Sequence, residues 1–410
     1  MRPVMNYLIR GGRVINPSTH FDKMADVYLR LGRVESILQP GAQAPGETHT
    51  VVDASGLVVC PGLVDIHVHL REPGQTHKED IASGSLAAAM GGVTSLVCMP
   101  NTAPPADCAA VIAHIRESAR TADLVKVHPA GAITQGLAGE TLTDFAALRE
   151  AGARALTDDG KPLKNDALME RAFLEAGRLS LPLLSHCEPE TQQALRDVAL
   201  AERTGCPVHI CHVSRRETID ALRAAKARGV PVSAETCPHY FWFTDEDARR
   251  IGTNAKINPP LGSSEDREAV IQGLLDGTID AISTDHAPHH PAEKALPFDR
   301  APCGVIGLET LLPATLEALY HSKLMSLPNV LALLTSKPAA IASLPCGRLS
   351  PGQLADITIF DPDEPCLVQA SLLHSKSANT PFDGMTLHGR VVHLFVDGKH
   401  RICNGRKNES

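Results

Sequence analysis

Between residues 58 and 346 the chain alternates between two hydrophobic rhythms. Short continuous apolar runs fall at 57–67, 94–99, 125–133, 153–158, 181–186, 207–213, 230–235 and 280–285. Most are followed by alanine-rich segments with apolar residues every three or four positions, as in Glu79–Met90, Asp107–Ala119, Asp166–Leu179 and Arg215–Ala227. A continuous apolar run marks a strand covered on both faces, and the 3.6-residue rhythm marks an amphipathic helix packed on it. Eight runs alternating with helices predict an α/β fold, a parallel (β/α)8 barrel of the TIM type. A doubly wound sheet would be favoured by a Gly-rich phosphate loop after the first strand, and none is present.

The two ends of the chain have a different pattern. Tyr7–Ile15, Asp26–Arg30 and Val34–Ile37 read as short strands, as do Gly352–Phe360 and Gly389–Val396. Asp397-Gly398 after the last of these is a hairpin dipeptide. The chain is therefore read as a small β-sandwich domain formed by residues 1–57 and 347–410, around a barrel of residues 58–346. The tail Asn404–Ser410 reads as disordered.

Composition narrows the class. With 410 residues, 43% of them hydrophobic, the chain can bury a large core. A net charge of −8 and the lack of a long basic run argue against a nucleic-acid partner. No apolar stretch is long enough to span a bilayer, and the polar start Met1-Arg2-Pro3 does not read as a signal peptide. The 11 cysteines are scattered, odd in number and free of any Cys-x-x-Cys pair, which predicts reduced thiols and a cytoplasmic location. The 19 histidines are many for this length and gather at 67/69, 186, 209/212, 239 and 286/289/290.

Barrel chemistry sits at the C-terminal ends of the strands. His67 and His69, one residue apart on a strand, point to the same face. The later strand ends add Met99-Pro100-Asn101, Thr157-Asp158-Asp159-Gly160, Ser185-His186-Cys187-Glu188, Cys211-His212-Val213-Ser214, Cys237-Pro238-His239 and Ser283-Thr284-Asp285-His286. Taken singly, each has a plainer role. A lone strand-end histidine is more often a hydrogen-bonded structural residue, aspartate before glycine is usually a turn, and His239 can cap a loop. Together, four histidines and two aspartates at the same end of five strands form a ligand set for one or two cations. Imidazole and carboxylate donors suit zinc, less often manganese or cobalt. Cys187 and Cys211 neighbour these ligands and are expected to point the other way.

Pro61-Gly62-Leu63-Val64-Asp65-Ile66-His67-Val68-His69 resembles the opening of the amidohydrolase superfamily. Further motifs narrow the resemblance to dihydroorotases of the longer bacterial class, over nearly the whole chain. They are His69-Leu70-Arg71-Glu72-Pro73-Gly74, Gly91-Gly92-Val93-Thr94, Met99-Pro100-Asn101-Thr102, Thr157-Asp158-Asp159-Gly160, Lys256-Ile257-Asn258-Pro259-Pro260, Thr284-Asp285-His286-Ala287-Pro288-His289 and Asn379-Thr380-Pro381-Phe382. The resemblance implies the reversible interconversion of N-carbamoyl-L-aspartate and L-dihydroorotate in pyrimidine synthesis, on one or two zinc ions per subunit. It implies that His67, His69 and Asp285 hold one metal and His186 and His212 the other. A carboxylate bridges them where many relatives use a carboxylated lysine. Asp159 is preferred to Asp158 for this, because its spacing to His186 matches the family pattern.

By the same resemblance, Asp285 takes a proton from the attacking water and passes it to the departing ring nitrogen. Arg71 grips the substrate carboxylate with Asn101 and His289, His69 also touches substrate, Asn258 meets the ring amide, and Cys303 and Gly304 contact the ring through backbone groups. One departure is the segment 187–211, which is short of a glycine-rich loop carried by relatives. Alternatives are a related cyclic amidase (dihydropyrimidinase, hydantoinase or allantoinase), a non-catalytic scaffold for aspartate transcarbamoylase, and a metal-storage protein. A homodimer, an aspartate transcarbamoylase partner and the metal count stay open.

Overall fold

The chain begins and ends in the same sheet. The computed structural model describes residues 5–45 and 48–408, so Met1-Arg2-Pro3 lies outside the described residues. Strand β1 (Tyr7–Asn16) pairs antiparallel with β2 (Phe21–Arg30), which pairs with β3 (Arg33–Leu38). β4 (Thr50–Asp53) and β5 (Val58–Pro61) both run parallel to β1, one beside Tyr7–Arg10 and the other beside Arg13 and Val14.

The chain then leaves for the strands β6 (Leu63–Val68), β7 (Val93–Cys98), β8 (Lys126–Gly131), β9 (Ala155–Leu156), β10 (Leu184–Ser185), β11 (Val208–Ile210), β12 (Val232–Thr236) and β13 (Ala281–Ile282). It returns as β14 (Ile357–Leu367), β15 (Thr386–Val396), β16 (Lys399–Cys403) and β17 (Arg406–Lys407). β14 lies antiparallel against β5, so both termini join one nine-stranded sheet. Val14, Val27 and Val59 from the first part pack with Ile357, Ile359 and Phe395 from the second.

β6–β9 and β10–β13 form two four-stranded parallel sheets. Parallel bridges Leu156–Leu183 and Val68–His286 join them at both seams and close the expected eight-stranded barrel. Inside, Val64, Ile66, Val97, Met99, Ala130, Ala155 and Leu184 pack together over Ala339, Ala342 and Leu344, so the barrel is a filled core. The helices bury the stripes that the sequence predicts. The helix Asp166–Leu179 buries Leu168, Met169, Ala172, Phe173, Ala176 and Leu179, and the Asn165 side chain caps it at Leu168 N.

Three boundaries differ from the sequence reading. The run 57–67 is two strands, because Val58–Pro61 stays in the terminal sheet and the barrel starts at Leu63. Gly62 sits at the break, where a Cβ would fall 2.1 Å from Thr94 Oγ1. The terminal sheet therefore extends past residue 57. The tail is not disordered throughout: Arg406–Lys407 pairs with β16, Asn408 Nδ2 donates to His400 O, and residues 409 and 410 lie outside the described residues.

Asp65 fastens the seam between β6 and β13. Its buried carboxylate accepts from Thr284 N at 3.2 Å, Thr284 Oγ1 at 2.6 Å and His67 N at 3.2 Å. Asp65→Ala strands three buried donors and is expected to lower stability by about 3 kcal/mol, with Asp65→Asn losing less. Equal urea midpoints for Asp65→Ala and the parent would show the link to be idle. A second expectation concerns acid. Burial, then the charges of Arg154 and Lys126, lowers His128 on β8 to about 4. The unfolded chain protonates this ring near pH 6.5, so His128 makes the fold lose stability as pH falls from about 6.5 to 4. His128→Gln should flatten that limb of the stability–pH curve measured by urea unfolding.

Candidate metal centre

A bulge aims the two histidines of β6. Asp65 stands opposite Leu96 and Val68 opposite Cys98, so three steps on β6 match two on β7. Ile66 therefore stays in the filled barrel core while Val68 and Leu70 turn outward to the helices. His67 and His69 are left at the barrel mouth above Ile66. Both are buried.

Asp159, at the end of β9, is the hub. Its Oδ1 lies 3.1 Å from His67 Nε2, 3.3 Å from His186 Nδ1 and 3.7 Å from His212 Nε2, and its Oδ2 lies 3.3 Å from His69 Nε2. Asp285 Oδ1 approaches the first pair from β13, at 3.1 Å from His69 Nε2 and 3.6 Å from His67 Nε2. His186 Nδ1 and His212 Nε2 are 2.8 Å apart. Asp158 turns the other way and accepts from Thr134 N and Oγ1.

The donor set fits a cation. One donor each from His67, His69 and Asp285 lies within 4.8 Å of the others, as does one each from His67, Asp159 and His212. His67 Nε2 and Asp159 Oδ1 are buried and make no well-formed hydrogen bond. The outer nitrogens are spoken for: His67 Nδ1 meets Glu235 Oε1 at 2.8 Å and His69 Nδ1 meets Asn101 Oδ1 at 2.8 Å. Such outer partners fix the tautomer and leave the inner lone pairs for a metal. Burial opposes ionisation of Asp285, but His67 and His69 hold it down at about 2. Burial likewise opposes Asp159, and His67, His186 and His212 hold it well below the usual carboxylate range. Burial pushes His186 down, and Asp159 outweighs it and raises the ring to about 9.

A cavity of about 220 Å³ opens above this cluster. It is lined by His69, Asp159, His186, His212 and Asp285 and by every other residue expected to meet substrate: Arg71, Asn101, Asn258, His289, Cys303 and Gly304. His67 lies beneath it. Arg71 arrives by a different route from simple strand spacing, since β6 ends at Val68 and Arg71 has φ +60°. Its Nε donates to Pro288 O at 3.2 Å and its Nη2 lies 3.3 Å from His289 Nε2. Burial, then the charge of Arg71, lowers His289 to about 3, so that ring is neutral. Asn258 Nδ2 donates to Glu188 Oε2 at 3.3 Å. Gly304 has φ +139°, and a Cβ there would fall 2.6 Å from Ala287 O. Its N–H donates to Lys256 O, and the Cys303 carbonyl meets His289 Nε2 at 2.8 Å.

The amidohydrolase family model matches residues 58–401. The chain belongs to the amidohydrolase family. This amidohydrolase is 46% identical to a dihydroorotase of Citrifermentans bemidjiense and 44% identical to one of Geotalea daltonii. Each alignment runs over 422 residues and covers 96% of this chain and 99% of the relative. Among solved structures, the L-hydantoinase (dihydropyrimidinase) of Arthrobacter aurescens superposes with a TM-score of 0.89 at 25% identity, over 98% of this chain and 97% of that one. The dihydropyrimidinase of Brevibacillus agri shares the fold at a TM-score of 0.87 and 22% identity, over 98% of this chain and 96% of its own. The 422-residue alignments exceed the 410 residues of this amidohydrolase, whose 187–211 crossover is little more than the helix Glu190–Thr204.

The structure adds residues that the motifs did not single out. Glu235, on β12, accepts from Ser283 Oγ at 2.5 Å, meets His67 Nδ1 and lies 3.4 Å from His209 Nε2. An acid inside the apolar run Val232–Thr236 was the signal for it. Cys211 does not simply turn away. It stands with His67 and Glu235 within 4.8 Å, and burial pushes its thiol up to about 12. Glu235→Gln removes the carboxylate that polarises His67 and should weaken metal binding about 10–100-fold. Competition with a chelator measures this, and unchanged affinity would make Glu235 a core residue only.

Proposed function

We propose that this chain is a dihydroorotase that opens the ring of L-dihydroorotate to N-carbamoyl-L-aspartate and closes it again, with zinc as its metal. The observation that carries the reading is Arg71. Its guanidinium is buried in the cavity wall; Nε donates to Pro288 O, and Nη2 lies 3.3 Å from His289 Nε2, a ring nitrogen that also meets Cys303 O at 2.8 Å. Among the described residues it makes no ion pair at 4 Å or less with a carboxylate. Burial lowers it to about 10 against the opposing charges of Asp285 and Asp159, and a buried cation with no carboxylate paired to it suits an anionic ligand. Dihydroorotate has the required carboxylate, which a planar guanidinium grips through two parallel bonds. Dihydrouracil and hydantoin rings lack it.

His67, His69, Asp159, His186, His212 and Asp285 would hold the ion, which when bound would supply a Lewis acid and a water made nucleophilic at neutral pH. Asp285, held ionised beside His69, takes one proton from the attacking water and delivers it to the ring nitrogen as the amide carbon–nitrogen bond breaks. The water oxygen stays on the carbonyl carbon as the new carboxylate, and the second proton of the water leaves to solvent. In the closing direction Asp285 removes the proton from the ureido nitrogen and returns it to the departing oxygen, which takes a second proton from solvent and leaves as water. Arg71, Asn101 and His289 hold the substrate carboxylate, and Asn258 and the Cys303 backbone orient the ring.

Zinc-loaded protein should turn over dihydroorotate faster than dihydrouracil. Arg71→Lys should raise KM for dihydroorotate about tenfold or more, with little effect on dihydrouracil. Asp285→Asn should lower kcat about 10²–10⁴-fold. Faster turnover of dihydrouracil would transfer the chain to the cyclic amidases with other substrates. Metal-replete protein that turns over neither would make it a scaffold.

A further inference from the structure

The hairpin that closes the chain carries three metal-type donors far from any use in ring opening. β15 and β16 pair with Leu394 opposite Ile402 and Phe395 opposite His400. One step on β15 thus matches two on β16, and Arg401 is the extra residue of a bulge. On an unbroken strand His400 and Cys403, three apart, would face opposite sides of the sheet. The bulge turns His400 onto the side of Cys403. His393, on β15, alternates with Phe395 onto that same side.

The three side chains converge there. His393 Nδ1 lies 3.1 Å from His400 Nε2, and one donor from each of His393, His400 and Cys403 lies within 4.8 Å of the other two. Two ring nitrogens at this distance share at most one proton, and the unprotonated one offers a lone pair that a metal would take over from this contact and from the long Asn404 N–H bond to His393 Nδ1 at 3.5 Å. With zinc–nitrogen bonds of about 2.0–2.1 Å and a zinc–sulfur bond of about 2.3 Å, tetrahedral ligand atoms sit roughly 3.3–3.6 Å apart. The histidine pair is already within a few tenths of an ångström of that. The His400 ring is held in place by stacking on Phe395 at 4.3 Å and 11°, with the Tyr7 ring edge-on at 5.7 Å. His393 is buried while His400 and Cys403 are half-buried, so the group is partly open to solvent.

We propose that His393, His400 and Cys403 form a second metal site, on the terminal sheet, for a zinc-class cation. Two imidazoles and a thiolate select such an ion over magnesium or calcium, and the thiol releases its proton to solvent on ligation. The ion would tie β16 to β15, beside the edge strand β17.

Cobalt(II) added to the full-length protein tests this, because a thiolate ligand gives cobalt a near-ultraviolet charge-transfer band that imidazole and carboxylate ligands do not. The expected result is a band in the parent protein that is lost in Cys403→Ser and in His400→Gln. Zinc content should fall by one ion per chain in both variants, while dihydroorotate turnover persists and reports an intact barrel. No band in the parent, or a band and zinc content unchanged in both variants, would overturn the second site. Loss of turnover with hairpin metal retained would count against the dihydroorotase reading and leave this site standing.

Discussion

Everything at the barrel mouth is arranged around one carboxylate. Asp159 touches the imidazoles of His67, His69, His186 and His212, which arrive on three different strands. Four imidazoles and two carboxylates are thereby taken out of water above an apolar core. Burying that much polarity is unfavourable unless opposite charges and lone pairs find partners. The site meets this condition in layers. The inner atoms face a shared point that suits a divalent cation. The outer ring nitrogens of His67 and His69 are taken by Glu235 and Asn101, and Glu235 is itself held by Ser283. Glu235 and Asn101 each touch one of these imidazoles through a hydrogen bond of 2.8 Å, and Ser283 reaches His67 through Glu235.

Backbone strain marks where strand geometry gives way to chemistry. Arg71, His212 and Asp285 all have positive φ, at +60°, +37° and +45°, and none is glycine. Such conformations are unfavourable by about 1–3 kcal/mol each and persist only where the surroundings over-determine them. Each residue sits just past a barrel strand, at the point where its side chain must leave the strand's alternation to reach the cavity. Packing of the filled barrel below supplies the rigidity that holds them there.

The sequence made the architecture and the ligands readable because both have strong local signals. Eight buried parallel strands leave continuous apolar runs, and histidine or aspartate at the end of such a run stands out against them. What stayed hidden depends on local irregularity. A one-residue bulge has no signature of its own, so neither the turn of His67 out of register with Ile66 nor the turn of His400 toward Cys403 could be seen. Arg71 was expected at the substrate carboxylate from the motif shared with dihydroorotases, and it reaches the cavity through a left-handed turn past the end of β6. Glu235 was missed because it lies one residue before the end of its strand and looked like part of the core. The last residues looked disordered from their polarity alone, and pairing to a neighbouring strand orders 404–408.

The two ends of the cavity are held by different parts of the chain. The metal end rests on strands, whose positions are set by the barrel ladder. The substrate end rests on the loop that carries His289, Cys303 and Gly304, and a residue from beyond the barrel fastens this loop. Asn379 donates from Nδ2 to Ala287 O at 3.1 Å and to Gly304 O at 2.9 Å, and its Oδ1 accepts from His289 N at 3.2 Å. Its carbonyl also accepts from Ile306 N. Lys294 adds a buried ammonium that donates to Pro302 O and Gly304 O at 3.0 Å each. The Asn379-Thr380-Pro381-Phe382 motif is therefore a clasp. It lies between the two long strands β14 and β15 that bind the C-terminal segment into the terminal sheet. The shared sheet of the two termini thus does more than cap the barrel: it anchors the segment that fixes the substrate-facing loop. The histidine–aspartate cluster and the loop that lines the other end of the cavity thus rest on structurally separate supports, which meet at His69, Arg71 and Asp285.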